Sequence, residues 1–376
     1  MVIGIIGAGA MGAGIAQVAA TAGHEVRVYD ASEKVRGQVM PNISLSLGKL
    51  LQKGKISPED SVAIMGKIFV GEKLNILSDA DLVIEAIIEK TEIKLKVFQE
   101  LEGILSTECI VATNTSSLSV TGLAASLQDP TRFLGIHFFN PPVLMPLVEI
   151  IPATQTRPEL VKKAQKLIIS WGKTPVIAKD TPGFIVNKVA RPFYSEAIRI
   201  YEEGIADIPT IDQAMTDNGF KMGPFKLMDF IGHDVNYRVT ESVWKAFYYD
   251  PKYKPSFTQL KLMEAGFLGK KSGKGFYDYS SENIPMASDD QNLKQKVFHR
   301  ILCMLINEAA DTVGQNICNT EDVELAVTKG VNYPKGLLQW GNEIGYPNVV
   351  KTLDDLYTYY HEERYRVTPY LRRMAL

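Results

Sequence analysis

Val2-Ile-Gly-Ile-Ile-Gly7-Ala-Gly9-Ala-Met-Gly12 decides the fold. An uncharged apolar run of strand length enters a glycine-rich turn, and the turn opens onto a stretch of helix formers. Glycine at these three positions permits a tight turn, a close approach of backbone to a pyrophosphate, and packing of the next helix on the sheet. Glu25–Tyr29 reads as the following strand, and Asp30 closes it eighteen residues after Gly12. A carboxylate placed there accepts hydrogen bonds from both ribose hydroxyls and repels a 2′-phosphate, so the expected cofactor is NAD rather than NADP. Arg27 is a weak contrary signal because it lies inside the strand, and a plain turn carboxylate is the competing reading of Asp30.

Working outward, short apolar runs alternate with helical stretches up to about residue 180. The remaining predicted strands are 67–70, 82–87, 109–112, 133–137, 147–151 and 174–178. Such alternation specifies an α/β, Rossmann-like, doubly wound and mostly parallel sheet. Residues 32–55 carry Val35, Val39, Ile43, Leu47, Leu50 and Leu51 at helical spacing, an arm larger than a simple crossover, in which Pro41 and Gly48 are unusual. After Asp180-Thr-Pro-Gly, long helical runs replace strands. Three domains are expected: 1–182 for the dinucleotide, 183–281 helical, and 293–376 as a second, degenerate copy of the helical domain, with Ser280–Asn292 as a linker. The duplication is read from a constant offset of 112 residues that lays Glu196-Ala197 on Glu308-Ala309, Ile205 on Ile317 and Ala214 on Ala326. At that offset Asn187 falls on His299. Chance similarity between amphipathic helices is the alternative.

Composition narrows the class. The 376 residues are 45% apolar and 22% charged with a net charge of -2, so no broad basic or acidic face advertises nucleic acid or membrane as a partner. Three widely spaced cysteines fit neither a disulfide framework nor a metal site. The two uncharged apolar runs, 1–23 and 133–148, read as strand-turn-helix and as a strand with prolines, so no membrane segment is expected. A strand at residues 1–6 leaves no room for a leader, and the expected location is the cytoplasm.

His137 is the best candidate base among five histidines. It lies between Ile136 and Phe138, and Glu149 lies between Val148 and Ile150; an imidazole and a carboxylate in such apolar strands each need a partner. The Asn140-Pro-Pro142 reversal could bring the two together, letting Glu149 fix the imidazole tautomer. Separate structural roles for each are the alternative.

With the glycine turn, three segments resemble the L-3-hydroxyacyl-CoA dehydrogenase family in order and spacing: Thr113-Asn-Thr-Ser-Ser-Leu118, Gly135-Ile-His-Phe-Phe-Asn-Pro-Pro142 running on to Glu149, and Asp180-Thr-Pro-Gly-Phe-Ile-Val-Asn187. The prolonged C-terminal part resembles members with two helical copies. The resemblance implies a 6-phosphogluconate-dehydrogenase-like all-α part and NAD-dependent interconversion of 3-hydroxyacyl-CoA and 3-oxoacyl-CoA. It implies Ser116 and Asn187 on the substrate oxygen, and Glu89, Lys94 and Asn140 near the nicotinamide ribose. It also implies Ser46 and Lys53 on the CoA nucleotide, with Lys49 and Lys55 adding charge. Bland readings compete: a helix cap for Ser116, an early-helix polar residue for Asn187, and a charged helix face for Glu89 and Lys94. Since the helical domain dimerises in single-copy relatives, the resemblance implies an intrachain pseudo-dimer, with a homodimer also open. Gly269-Lys-Lys-Ser-Gly-Lys-Gly275 has the wrong spacing for a P-loop. His233 is left between a substrate neighbour and a turn residue. Two rival functions are a dehydrogenase of a free hydroxy acid or sugar acid on the same scaffold, and a non-catalytic NAD-binding protein. Acyl length stays open, including a dicarboxyl ester such as 3-hydroxyadipyl-CoA.

Overall fold

A computed structural model describes residues 1–281 and 286–376, which fall into two compact units, Met1–Thr181 and Pro182–Leu376. Residues 282–285 of the expected linker lie outside the described residues.

The first unit is built on eight strands: β1 (Val2–Ile6), β2 (Glu25–Tyr29), β3 (Ile68–Gly71), β4 (Leu82–Glu85), β5 (Ile110–Thr113), β6 (Phe133–Phe138), β7 (Leu147–Pro152) and β8 (Thr174–Ile177). Each predicted strand is present, its ends displaced by no more than two residues. They form one sheet in the order β3-β2-β1-β4-β5-β6-β7-β8. The order reverses between β1 and β4, which opens a crevice at the carboxyl ends of the strands. β4, β5 and β6 are buried along their whole lengths, the signature of strands covered on both faces. All pairings are parallel except β6 with β7. The reason is chain length, because eight residues separate those two strands and a parallel crossover needs about a dozen or more.

The stretch read as an arm holds two helices, Glu33–Arg36 and Val39–Gln52. Val39, Ile43 and Leu47 recur at the i, i+4, i+8 spacing of one helix face and are buried in the same core as β1 and β2. Pro41 sits in the first turn, where a helix needs no N–H, so the helix runs on through it.

The second unit consists of two similar helical sets. The first comprises helices Arg191–Glu202, Ile208–Thr216, Pro224–Ile231, His233–Ala246 and Phe257–Glu264. The second comprises Gln291–Gly314, Thr320–Leu325 continued by a π-helix over Ala326–Gly330, then Leu337–Ile344, Tyr346–Tyr360 and Pro369–Met374. Corresponding hydrogen bonds expose one inserted residue. Phe220 N donates to Met215 O in the first set, and Tyr333 N donates to Val327 O in the second, across a loop one residue longer. The wide π-turn absorbs that extra residue.

Buried ion pairs link the two sets reciprocally. Arg300 of the second set meets Glu196 at 2.6 Å, with the Tyr365 hydroxyl 2.7 Å from the same carboxylate oxygen. Lys188, in the short helix Val186–Val189 that leads into the first set, meets Glu308 at 2.5 Å, and the Tyr253 hydroxyl bonds the same Glu308 oxygen at 2.5 Å. Each member of one cluster lies 112 positions from its counterpart in the other.

Candidate active site

The crevice is prepared for a dinucleotide. Gly7 has φ +92°, and a Cβ there would lie 2.5 Å from the Ala86 carbonyl oxygen. A Cβ on Gly12 would lie 1.7 Å from the Gly7 carbonyl oxygen, so the turn and the start of the helix Ala10–Thr21 require glycine at both places. Gly9 differs, since a Cβ there would meet nothing within 4 Å. Open space over bare backbone at a helix N-terminus with no acidic residue in its first turn fits a pyrophosphate. Asp30 stands beside this turn: one carboxylate oxygen accepts from Ala8 N–H at 2.8 Å and the other from Ser32 N–H at 2.8 Å. Half-buried and held from two sides, it has lone pairs left for ribose. Arg27 is engaged by Glu25 and Asp79 and lies over the Phe69 ring, which removes it as a 2′-phosphate ligand. The residues present therefore fit NAD.

A buried charge network follows at the end of β4. Glu85, fully buried, accepts from Lys94 Nζ at 2.6 Å, from Ile87 N–H at 2.7 Å and from the Thr113 hydroxyl at 2.7 Å. Lys94 is 1% exposed and also meets Glu89 at 3.1 Å, so the pair is no solvated helix face. Glu89 in turn accepts from the Thr115 hydroxyl and from Ser116 N–H at 3.0 Å. Its burial raises the carboxyl's pKa, but Lys94, Thr115 and Ser116 outweigh that and hold it below the usual carboxylate range. Sequence reasoning missed Glu85. The signal was available: a carboxylate ending the apolar run Leu82-Val-Ile needs a partner by the same logic that singled out Glu149.

On the antiparallel pair, His137 stands directly opposite Glu149, and His137 Nδ1 lies 2.7 Å from Glu149 Oε2. Both side chains are buried. The neighbouring loops are pinned. Asn114 Oδ1 accepts from Phe138 N–H at 2.7 Å, tying the Thr-Asn-Thr-Ser-Ser segment to the histidine strand. Lys173 Nζ donates to the carbonyls of Pro142 and Met145 at 2.5 and 2.8 Å, holding the Asn140-Pro-Pro reversal. Asp180 accepts from Val120 N–H, Thr121 N–H and the Ser119 hydroxyl, fixing the helix Val120–Ala124. That helix is capped by Ser119, so Ser116 is not its cap. Asn140 is exposed at the reversal, Ser46 is half-buried and Lys53 exposed near the end of its helix.

In the second unit, Asn187 is half-buried in the short helix Val186–Val189, and its side-chain amide has no hydrogen-bond partner among the described residues. His233 is neither a turn residue nor open to a ligand. It is fully buried, with Nε2 2.8 Å from Asp229, whose carboxylate also accepts from Phe276 N–H and Tyr277 N–H and so anchors the Gly269–Gly275 loop. Among the described residues no His, Cys, Asp and Glu cluster could hold a metal, and no helix is long and apolar enough to cross a membrane.

Comparison with known proteins adds the chemistry. Residues 2–181 match the 3-hydroxyacyl-CoA dehydrogenase, NAD binding domain, and residues 183–279 and 297–376 match the 3-hydroxyacyl-CoA dehydrogenase, C-terminal domain. A 3-hydroxyadipyl-CoA dehydrogenase of Escherichia coli (strain K12) is 34% identical, with 100% of this chain and 97% of the relative covered. A 3-hydroxybutyryl-CoA dehydrogenase of Bradyrhizobium diazoefficiens is 41% identical over 74% of this chain and 94% of its own length. The crystal structure of a 3-hydroxybutyryl-CoA dehydrogenase from Escherichia coli K12 superposes with a TM-score of 0.94 at 33% identity, covering 100% of this chain and 98% of that one. Fold, crevice and matches define an NAD-dependent oxidoreductase acting on a CH–OH group. The chain belongs to the 3-hydroxyacyl-CoA dehydrogenase family.

Proposed function

We propose that the chain interconverts L-3-hydroxyacyl-CoA and 3-oxoacyl-CoA, with His137 as the base that Glu149 orients. The observation that carries the reading is the 2.7 Å contact between His137 Nδ1 and Glu149 Oε2 on the same sheet whose β1 runs into the glycine turn. With Nδ1 engaged by the carboxylate, Nε2 is the nitrogen that takes the hydroxyl proton while the C3–H bond yields its pair as hydride and the carbonyl forms. When bound, NAD supplies the hydride acceptor. Glu149 stabilises the imidazolium that results, and in the reverse direction the same proton returns to the carbonyl oxygen. Ser116 and Asn187 steady the developing carbonyl. Glu89, Lys94 and Asn140 line the nicotinamide ribose, with Glu85 fixing Lys94. Ser46 and Lys53 hold the CoA nucleotide. Relatives named for 3-hydroxyadipyl-CoA and 3-hydroxybutyryl-CoA support short acyl chains.

The two helical sets act as an intrachain pseudo-dimer, a domain duplication supported by the reciprocal Glu196–Arg300 and Glu308–Lys188 clusters, in a protein that works in the cytoplasm. Nicotinamide absorbance, followed with 3-hydroxybutyryl-CoA and with free 3-hydroxybutyrate, tests the substrate class. Turnover of the thioester alone is expected, and faster oxidation of the free acid would transfer the reading to hydroxy acids.

A further inference from the structure

Eight lysine and arginine side chains are buried among the described residues, and seven of them meet a carboxylate. The eighth is Arg191. It is 5% exposed with no Asp or Glu in ion-pair reach among the described residues, although burying an unpaired charge is costly. Part of its donor fork is engaged: Nε donates to the Asn187 carbonyl at 2.8 Å, Nη1 to the Thr240 hydroxyl at 3.0 Å, and the Tyr194 ring lies 5.0 Å from Cζ. Nη2 donates to nothing among the described residues. A guanidinium keeps its charge at any working pH, so its missing counter-charge points to an anion from outside the chain.

The second helical set shows that the packing itself does not require this charge. At the offset of 112, Asn187 and Arg191 become His299 and Cys303; past the inserted residue the helices His233–Ala246 and Tyr346–Tyr360 begin 113 positions apart, so Thr240 falls on Leu353 and the next residue back, Thr352, joins the second cluster. That cluster closes on itself without a cation: His299 Nε2 is 2.9 Å from the Thr352 hydroxyl and 3.5 Å from Cys303 Sγ, and burial lowers the imidazole's pKa. The same scaffold position is thus neutral in one copy and cationic in the copy that carries Asn187.

We infer that Arg191 receives the far carboxylate of a dicarboxylic acyl chain, making 3-hydroxyacyl-CoA esters of short diacids the preferred substrates. The inference rests on the proposed contact of Asn187 with substrate. Arg191 Nε donates to the Asn187 carbonyl at 2.8 Å, so an acyl chain met by the Asn187 side chain has the guanidinium a few carbons further along. A planar fork with an uncommitted edge suits a carboxylate better than it suits a neutral methyl terminus.

The test compares kcat/KM for 3-hydroxyadipyl-CoA and for 3-hydroxyhexanoyl-CoA, which is equal in length and uncharged at the far end. The wild type is expected to favour the diacid ester, and Arg191→Met to lower that ratio about 10- to 150-fold, the range for one hydrogen-bonded charge. A purely structural Arg191 would depress both substrates together and leave the ratio unchanged, which overturns the assignment. Should Arg191→Met fail to fold, inhibition of the wild type by adipyl-CoA and hexanoyl-CoA decides: tighter adipyl-CoA supports the inference, and equal inhibition overturns it. Failure of the wild type to oxidise either thioester would remove the proposed function itself.

Discussion

Glu308→Gln isolates the reciprocal ion pairs of the helical unit. In the native chain burial alone would raise the Glu308 carboxyl's pKa, but Lys188 and Lys252, aided by the Tyr253 hydroxyl, overcome it and hold the pKa at about 2. Against the ordinary 4.5, that interval corresponds to about 3 kcal/mol at 1.36 kcal/mol per pH unit. Replacing the carboxylate also leaves two buried ammonium groups without it, and breaking a buried pair on one side costs about 3–5 kcal/mol. The two routes agree in magnitude. For a unit of this size the expected loss lowers Tm by roughly 6–20 °C. Because the folded pKa lies below the unfolded one, the stabilisation is complete above about pH 4.5 and is lost as pH falls toward 2. Thermal and urea unfolding at pH 7 and pH 3 should therefore show a large gap between wild type and variant at pH 7 and a smaller one at pH 3. Restoring neutrality with Lys188→Met in the same chain should recover part of the loss. A Glu308→Gln variant within about 0.5 kcal/mol of wild type at pH 7 would refute the reasoning, since that is the scatter of ordinary surface substitutions.

Two further predictions separate fold from binding. Gly9→Ala should melt like the wild type yet bind NAD at least about tenfold more weakly, because its methyl group enters open space above the turn, whereas Gly12→Ala should destabilise the first unit outright. Fluorescence titration and thermal melts read both, and wild-type NAD affinity in Gly9→Ala would contradict the assignment of that space. Burial pushes the Cys109 and Cys303 thiols up to about 12, so a thiol reagent at pH 8 should label Cys318 quickly and those two only after denaturant is added. Rapid native labelling of all three would contradict their packing.

The dinucleotide half of the molecule was legible because its signals are local. A glycine turn, an acidic strand end and apolar runs of fixed length each act within a few residues, and β1 and β2 fall where the sequence puts them. The His137–Glu149 pairing was legible for a different reason, since two polar groups in neighbouring apolar strands joined by a short reversal have few other partners. What stayed hidden depended on distance in sequence. Asp229 collects donors from a loop nearly fifty residues away, and Lys188 and Arg300 find their carboxylates more than a hundred residues off. The 112-residue offset pointed to the similarity of the helical sets, but it did not show that the repeated glutamates, Glu196 and Glu308, bind across the copies. The π-helix and the one-residue drift after it were invisible for the same reason that Arg191 was: only coordinates reveal which buried charge lacks a partner.

The central claim is that a carboxylate-held imidazole moves the substrate proton, and Glu149→Gln tests it most directly. Single-turnover oxidation of 3-hydroxybutyryl-CoA, with NAD affinity measured on the same preparation, should show the chemical step slowed about 10²- to 10⁴-fold while the cofactor binds as before. A Glu149→Gln rate within a few-fold of wild type, with NAD bound normally, would contradict the account.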